Sequence, residues 1–295
     1  MKPLFAIDLT NNKKNDIVNG EEFIVQRSST ELLESHEKTV EQLEETEKRA
    51  KLPLALKIIK SISICFALIV FLSTVRAISD DITFSQAYRN APYLYWIAFF
   101  CVVVFVFLKI YEKRNEKNVI NSDEAAHDAK KLSEYTDVLF EELSVPQDAN
   151  FVDVLFFHYK VKNGEIKPCE KGMMPTPYVN FAVKAFTDND ILYLASLDIK
   201  YAFPLSSLSR IRTVNKRISC FGWNKDIGIK EGIYKQYKLS YDNLGLVNCR
   251  RYHIIEINRS GELYCIYIPD YELPQIEELT QLKATEENKK GLSTR

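Results

Sequence analysis

Residues 58–78 read IIKSISICFALIVFLSTVRAI, and residues 91–108 read APYLYWIAFFCVVVFVFL. In the first stretch fifteen uncharged residues run from Ser61 to Val75. Lys57, Lys60 and Arg76 extend it by laying aliphatic stems along the helix while their charges reach the headgroups. The resulting span, 58–78, has the length of about 20 residues that a bilayer core requires. The second stretch has eighteen uncharged residues. Pro92 falls in its first turn, where the amide that proline lacks would be unpaired anyway. Tyr93, Tyr95 and Trp96 at one end and Tyr111 at the other resemble interfacial aromatic belts, which extends the second span to 91–110. The competing reading of each block is the buried core helix of a soluble protein. Only fifteen residues, Arg76 to Asn90, separate the blocks, so the expectation is an antiparallel transmembrane hairpin over 54–111.

The flanks orient the hairpin. Lys48, Arg49, Lys51, Lys57 and Lys60 precede the first span and Lys109, Lys113, Arg114 and Lys117 follow the second, whereas the connecting loop has only Arg76 and Arg89. The positive-inside rule then places both termini in the cytoplasm of a multi-pass plasma-membrane protein. Neither span contains a carboxylate or a mid-span Gly or Pro, the usual marks of a proton relay or a discontinuous transporter helix. The hairpin therefore reads as an anchor. The alternative is a small oligomeric pore in which Ser61, Cys65, Ser73 and Thr74 supply interhelical contacts.

The 295-residue chain as a whole is nearly neutral, with a net charge of −1. Of six cysteines, Cys65 and Cys101 lie inside the apolar blocks, and Cys169, Cys220, Cys249 and Cys265 are scattered without a disulfide framework. His253 follows Cys249, but no second pair completes a zinc site, so neither metal nor cofactor is expected. Reduced, buried cysteines fit a cytosolic domain. The start of the chain does not read as a signal peptide, because Asp8 interrupts the short apolar run Pro3 to Ile7.

Residues 1–26 read as an N-terminal arm of two short strand-like runs, Leu4 to Leu9 and Glu22 to Val25, separated by the polar Asn11 to Gly20 and forming either a hairpin or a loose arm, with no assigned role. Residues 27–53 read as an amphipathic or short coiled-coil helix: Ser28, Ser29 and Thr30 offer N-cap oxygens, and Leu33, His36, Val40, Leu43 and Ala50 fall near a/d spacing. Residues 112–146 read as a helical stalk with a stripe at Leu132, Tyr135, Val138, Leu139 and Leu143, ended by Pro146. From residue 147 to 283 the text is strand-like, with runs at Phe151 to Val161, Val179 to Phe186, Ile191 to Leu197, Lys200 to Leu205, Lys238 to Tyr241, His253 to Asn258 and Glu262 to Ile268. Asn163-Gly164, Asp188-Asn189 and Ser260-Gly261 supply turns between them. Leu273, Ile276 and Leu279 then form one stripe on a short helix with Pro274 in its opening turn, and 284–295 is a polar tail.

Six or seven antiparallel strands closed by an amphipathic helix outline a pleckstrin-homology-like barrel. The run Phe186-Thr187-Asp188-Asn189-Asp190-Ile191-Leu192-Tyr193-Leu194, then Phe203-Pro204-Leu205 and Leu208 to Ile211, resembles bacterial PH-like and GRAM-like domains over about residues 179–283. Two features depart from that pattern: Asp190 stands where those families often have Arg, and Thr213 to Arg251 is longer than a simple hairpin. The resemblance implies lipid-headgroup binding, or protein docking and assembly, rather than catalysis. Fold analogy is a weak warrant for function. The expected class is an α+β membrane protein: a two-helix transmembrane hairpin plus a cytoplasmic antiparallel β-barrel-like domain with a C-terminal helix.

Between Ile199 and Arg251 eleven Lys and Arg outweigh three acidic residues, Asp226, Glu231 and Asp242, a local surplus of eight positive charges. Arg210, Arg212, Lys216 and Arg217 cluster after a predicted strand, and Phe221 and Trp223 follow. One reading makes these six a lipid- or partner-binding face. The cations would meet anionic headgroups at about 1 kcal/mol each while an aromatic ring enters the interface. The other makes the cations solvated strand edges and Trp223 a core residue. A nucleic-acid partner is not expected, since no recognition motif accompanies the basic text. Gly-rich phosphate loops, HExxH, GxSxG and a Cys with a spaced base are all missing from the sequence. The expectation is therefore not an enzyme but a membrane-anchored binding or scaffold protein, with membrane lipids and a homo-oligomeric or protein partner. The alternative is a pore regulated by its cytoplasmic domain.

Overall fold

The computed structural model describes residues 1–10, 20–79, 82–170, 176–221, 236–237, 239–241 and 246–286. They divide into two compact units, Glu34–Asp137 and a second made of Met1–Leu33 together with Val138–Arg295. The first unit is thus an insertion in the second.

The inserted unit is helical. Helices α1 (Thr30–Ala50), α2 (Leu54–Ser79), α3 (Phe84–Asn90), α4 (Pro92–Ile120) and α5 (Asp123–Glu142) follow in order. Helices α2 and α4 are long and apolar enough to cross a membrane. Ion pairing of Lys60 with Glu112 and a 2.9 Å hydrogen bond between Thr74 Oγ1 and Tyr95 OH align them antiparallel. Leu68, Phe71, Leu72, Trp96, Phe100 and Phe107 stay exposed. Large exposed apolar surface of this kind marks a protein–protein or a membrane contact. Thr83 and Gln86 form a reciprocal capping box that starts α3 in the connection.

Over the expected helical stalk, 112–146, the chain forms two helices in succession. Helix α4 ends at Ile120, and the Ser122 hydroxyl accepts the Ala125 amide to start α5, satisfying a donor the first turn leaves open. Helix α1 runs beside α5 in the opposite direction. His36 Nε2 lies 3.2 Å from Thr136 Oγ1, and Arg49 pairs with Glu124 at 3.9 Å. The stripe read from Leu33 to Ala50 therefore borders a helix of the same chain.

The other unit is built on strands β1 (Lys2–Pro3), β2 (Ala6–Asp8), β3 (Ile24–Arg27), β4 (Asn150–Lys162), β5 (Glu165–Cys169), β6 (Tyr178–Asp188), β7 (Ile191–Ala195), β8 (Ile199–Pro204), β9 (Leu208–Val214), β10 (Ile218–Phe221), β11 (Ser240–Tyr241), β12 (Leu246–Cys249), β13 (Tyr252–Arg259), β14 (Glu262–Pro269) and β15 (Ala284–Glu286), with helix α6 (Leu273–Thr280). Strands β4, β6, β7 and β8 form an antiparallel meander, edged by β3 on β8. The second sheet runs β1-β14-β13-β9-β15. Together they make a curled half-barrel around a core that includes Val152, Val183, Leu194, Phe203, Ile211 and Ile255. Turns at Asn163-Gly164, Asn189-Asp190 and Ser260-Gly261 all take positive φ, the geometry of two-residue hairpins that follow the sheet twist. The middle turn lies one residue later than its expected position.

The N-terminal segment is not an arm. Strand β1 pairs parallel with β14, β2 pairs parallel with β4, and β3 extends the meander. Leu4, Phe5, Ala6 and Phe23 are buried. The separation at residue 26 is corrected accordingly: Leu4, Phe5 and Ala6 of the first run and Phe23 of the second bury against strands that follow the helical insertion. The polar tail also begins later than residue 284, because β15 pairs with β9. Of the expected strand Lys238 to Tyr241, Ser240–Tyr241 is a strand, and Lys238 lies outside the described residues. Helix α6 follows a 3₁₀ turn at Asp270–Glu272 and seats Ile276 fully in the core.

Candidate functional site

Stretches distant in sequence enclose a cleft of about 870 Å³ in the β unit. Phe156 on β4 and Val179 and Phe181 on β6 continue the face that carries Val154 and Val183 into the core. Tyr201 on β8 and Ile24 on β3 stand on a second side, and Phe5 and Tyr264 on a third. Phe5 is the hinge of this assembly. Its φ of 53° turns the chain from β1 on one sheet to β2 on the other, and its ring sits 5.2 Å from Tyr201 and 6.2 Å from Phe181. Gly20 closes the wall with φ 108°, and a Cβ there would meet Leu4 Cδ2 at 2.6 Å; glycine is what both the conformation and the space require.

Polar groups rim the cleft: Lys2, Glu21, Glu22, Arg27, Ser196 and Asp198. Lys2 Nζ is held 2.6 Å from Glu262, which also accepts the Tyr264 hydroxyl at 2.8 Å. Hydrogen bonding to Glu22, then burial and Glu262, push the Tyr264 phenol up. Arg27 and Asp198 adjoin a clasp at the start of α1. Ser28 donates its hydroxyl to Leu197 O at 2.6 Å and its amide to Asp198 O at 2.9 Å. The Ser29 amide meets the Glu142 carboxylate at 3.1 Å, and the buried Lys200 ammonium caps Leu143 O just past α5. Burial lowers the Lys200 pKa.

Of the six residues singled out from sequence, Arg210, Arg212, Lys216 and Arg217 are not among those lining this cleft. Arg210 and Arg212 lie on β9, and both bind the carboxylate of Glu256 on β13, at 2.7 and 3.0 Å. Glu256 is only 5% exposed. Burial raises its pKa, but the hydrogen bonds from Arg210 and Arg212 outweigh that and hold the carboxyl below its ordinary value. Lys216 and Arg217 are exposed in the turn from β9 to β10, and Phe221 ends β10. Trp223 lies outside the described residues.

Two further networks are buried beside the second sheet. His253, fully buried, bridges Thr213 Oγ1 at 3.1 Å and Asp270 Oδ1 at 2.9 Å, and Arg251 reaches the same oxygen at 2.7 Å. Burial opposes ionisation of Asp270, but His253 and Arg251 keep its pKa low. Nearby, Tyr271 donates to Asp153 at 2.6 Å, and burial followed by the Asp153 charge pushes Glu272 up to about 8. Among the described residues no group of three or more His, Cys, Asp or Glu is placed to hold a metal ion.

Comparisons with protein-family models, with curated proteins and with solved structures give no match. The cleft was not legible in the sequence. The only local signals were the two short runs near the N-terminus, and neither says which strands they join.

Proposed function

We propose that this is a non-enzymatic, membrane-anchored binding or scaffold protein. In this reading α2 and α4 cross the plasma membrane as a hairpin, and the β unit is a PH-like module held at the cytoplasmic face. One observation carries it. Strands on both sides of the apolar helices, β1 to β3 before them and β4 to β15 after them, share one hydrophobic core. Segments sharing a core occupy one compartment, so the chain between them crosses an even number of times. Two helices of spanning length meet that condition. The surplus of cations flanking the hairpin favours the cytoplasm as that compartment. The meander β4-β6-β7-β8, followed by β9-β13-β14 and a closing helix, supports the PH-like reading. The aromatic cleft at the open end of the sheet supports a binding role, because concave, mostly apolar sites with a few polar groups are where ligands are taken up.

The test is labelling of single cysteines in intact cells with an impermeant thiol reagent. Of the native cysteines, Cys220, Cys249 and Cys265 are buried, so only Cys65, Cys101 and Cys169 need replacing. Ser85→Cys in α3 should label, whereas Glu21→Cys and Ser260→Cys should label only after permeabilisation. Opposite behaviour of Glu21→Cys and Ser260→Cys would overturn the hairpin, and labelling of both in intact cells would invert the orientation.

A further inference from the structure

We propose that the aromatic cleft takes an organic cation with an apolar body, an alkyl- or arylammonium group. The proposal rests on the reading of the β unit as a binding module and adds the ligand class. The floor and walls include the rings of Phe5, Phe156, Phe181, Tyr201 and Tyr264. Aromatic faces are electronegative and attract a cation within about 6 Å of the centroid, most strongly where water is excluded. Rings of this unit already accept cations: Lys2 Nζ lies 5.6 Å from the Tyr264 centroid, and the Arg259 guanidinium lies 4.6 Å from that of Phe23.

The rim has the complementary sign. Lys2 is matched by Glu262 outside the cleft. Among the described lining residues that sets one further cation, Arg27, against the carboxylates of Glu21, Glu22 and Asp198. Among the described lining residues an anionic headgroup would meet a net negative rim over apolar rings and no cation cluster. A divalent metal fits no better. It needs several oxygens converging at about 2–2.6 Å, and the described carboxylates are not grouped in that way. Dispersed negative charge around aromatic walls suits a diffuse, weakly hydrated cation. The volume of about 870 Å³ is ample for a drug-sized ligand.

The experiment uses the full chain in uncharged maltoside micelles, with empty micelles as the blank. Three probes of similar size are titrated by calorimetry: benzyltrimethylammonium, benzenesulfonate and benzyl alcohol. The ammonium should bind about tenfold more tightly than the sulfonate. The paired rim substitution Glu21→Gln with Glu22→Gln should weaken it about fivefold, and Phe181→Leu, which keeps an apolar side chain but removes the ring, about threefold. Equal or tighter binding of the sulfonate or the alcohol, competing for the same site, would overturn the ligand class and leave the binding module standing. Ammonium binding untouched by the rim pair and by Phe181→Leu would place the site elsewhere and overturn the proposal. Binding of none of the probes would overturn it and deprive the module reading of its cleft.

Discussion

Replacing Phe23 by Ala tests the claim on which the topology rests, that the N-terminal segment is part of the β-unit core. Phe23 is 1% exposed. Its ring packs 5.0 Å from Phe203 and edge-on, 5.1 Å, to Tyr264, and Arg259 covers it at 4.6 Å. Truncation of a fully buried Phe costs about 3–5 kcal/mol, and removal of the ring from between two aromatic neighbours and a guanidinium favours the upper half of that range. With a urea dependence of about 2 kcal/mol per molar, the unfolding midpoint of the β unit should fall by about 2–2.5 M. Pulse proteolysis across a urea series, following the protected β-unit fragment, reads that midpoint without requiring the helices to unfold. Val25, two residues away and 56% exposed, supplies the control. Val25→Ala should move the midpoint by no more than about 0.3 M, as surface changes do. A Phe23→Ala midpoint within the same margin would show that the segment does not contribute to the core, and the even-crossing argument would lose its footing.

Glu256→Gln should destabilise the β unit by about 2 kcal/mol at neutral pH, because Arg212, mostly buried, loses the charge that compensates it; urea denaturation of the variant and of Glu256→Leu with Arg212→Met would separate loss of the pair from loss of packing. The lowered Glu256 and Asp270 carboxyls contribute stability that is present above their unfolded values near 4 and is lost as pH falls through their folded ones, so acid titration of the midpoint should show a steep decline below about pH 4. Glu272 has the opposite sign. Its folded pKa of about 8 exceeds the unfolded 4.5, so it costs stability increasingly from pH 4.5 to 8 and constantly above. Glu272→Gln should therefore gain about 1–3 kcal/mol on the wild type across that window, and parallel profiles would refute it. Lys216→Gln with Arg217→Gln should weaken attachment of the detergent-solubilised chain to anionic vesicles by about 2 kcal/mol, whereas Arg210→Gln should have a smaller effect, since Glu256 already offsets that charge.

The apolar helices, the hairpin turns and helix α6 were legible because their signals are local. A spanning run is a property of about 20 consecutive residues, and Asn163-Gly164 and Ser260-Gly261 carry their own backbone preference. The charge balance of the basic segment was not legible for a related reason. The window from Ile199 to Arg251 has a surplus of eight positive charges, but Glu256 and Asp270, which bind Arg210, Arg212 and Arg251, lie beyond its end. Antiparallel pairing of β9 with β13 brings those charges together, and no composition count can see a register.

By itself the sequence determined where the chain is apolar enough to leave water, where it turns, and which faces of its helices and strands are apolar. Tertiary structure decided which end of the chain completes the core, which cations are neutralised, and where the cleft opens. Phe5, Phe181 and Tyr201 are separated by some 20 to 200 positions along the chain and converge only because β1, β2 and β3 pair with strands that follow the helical insertion. Burial of apolar surface is indifferent to distance along the chain, so the contacts that define a core and a site are set by the packing of the whole unit.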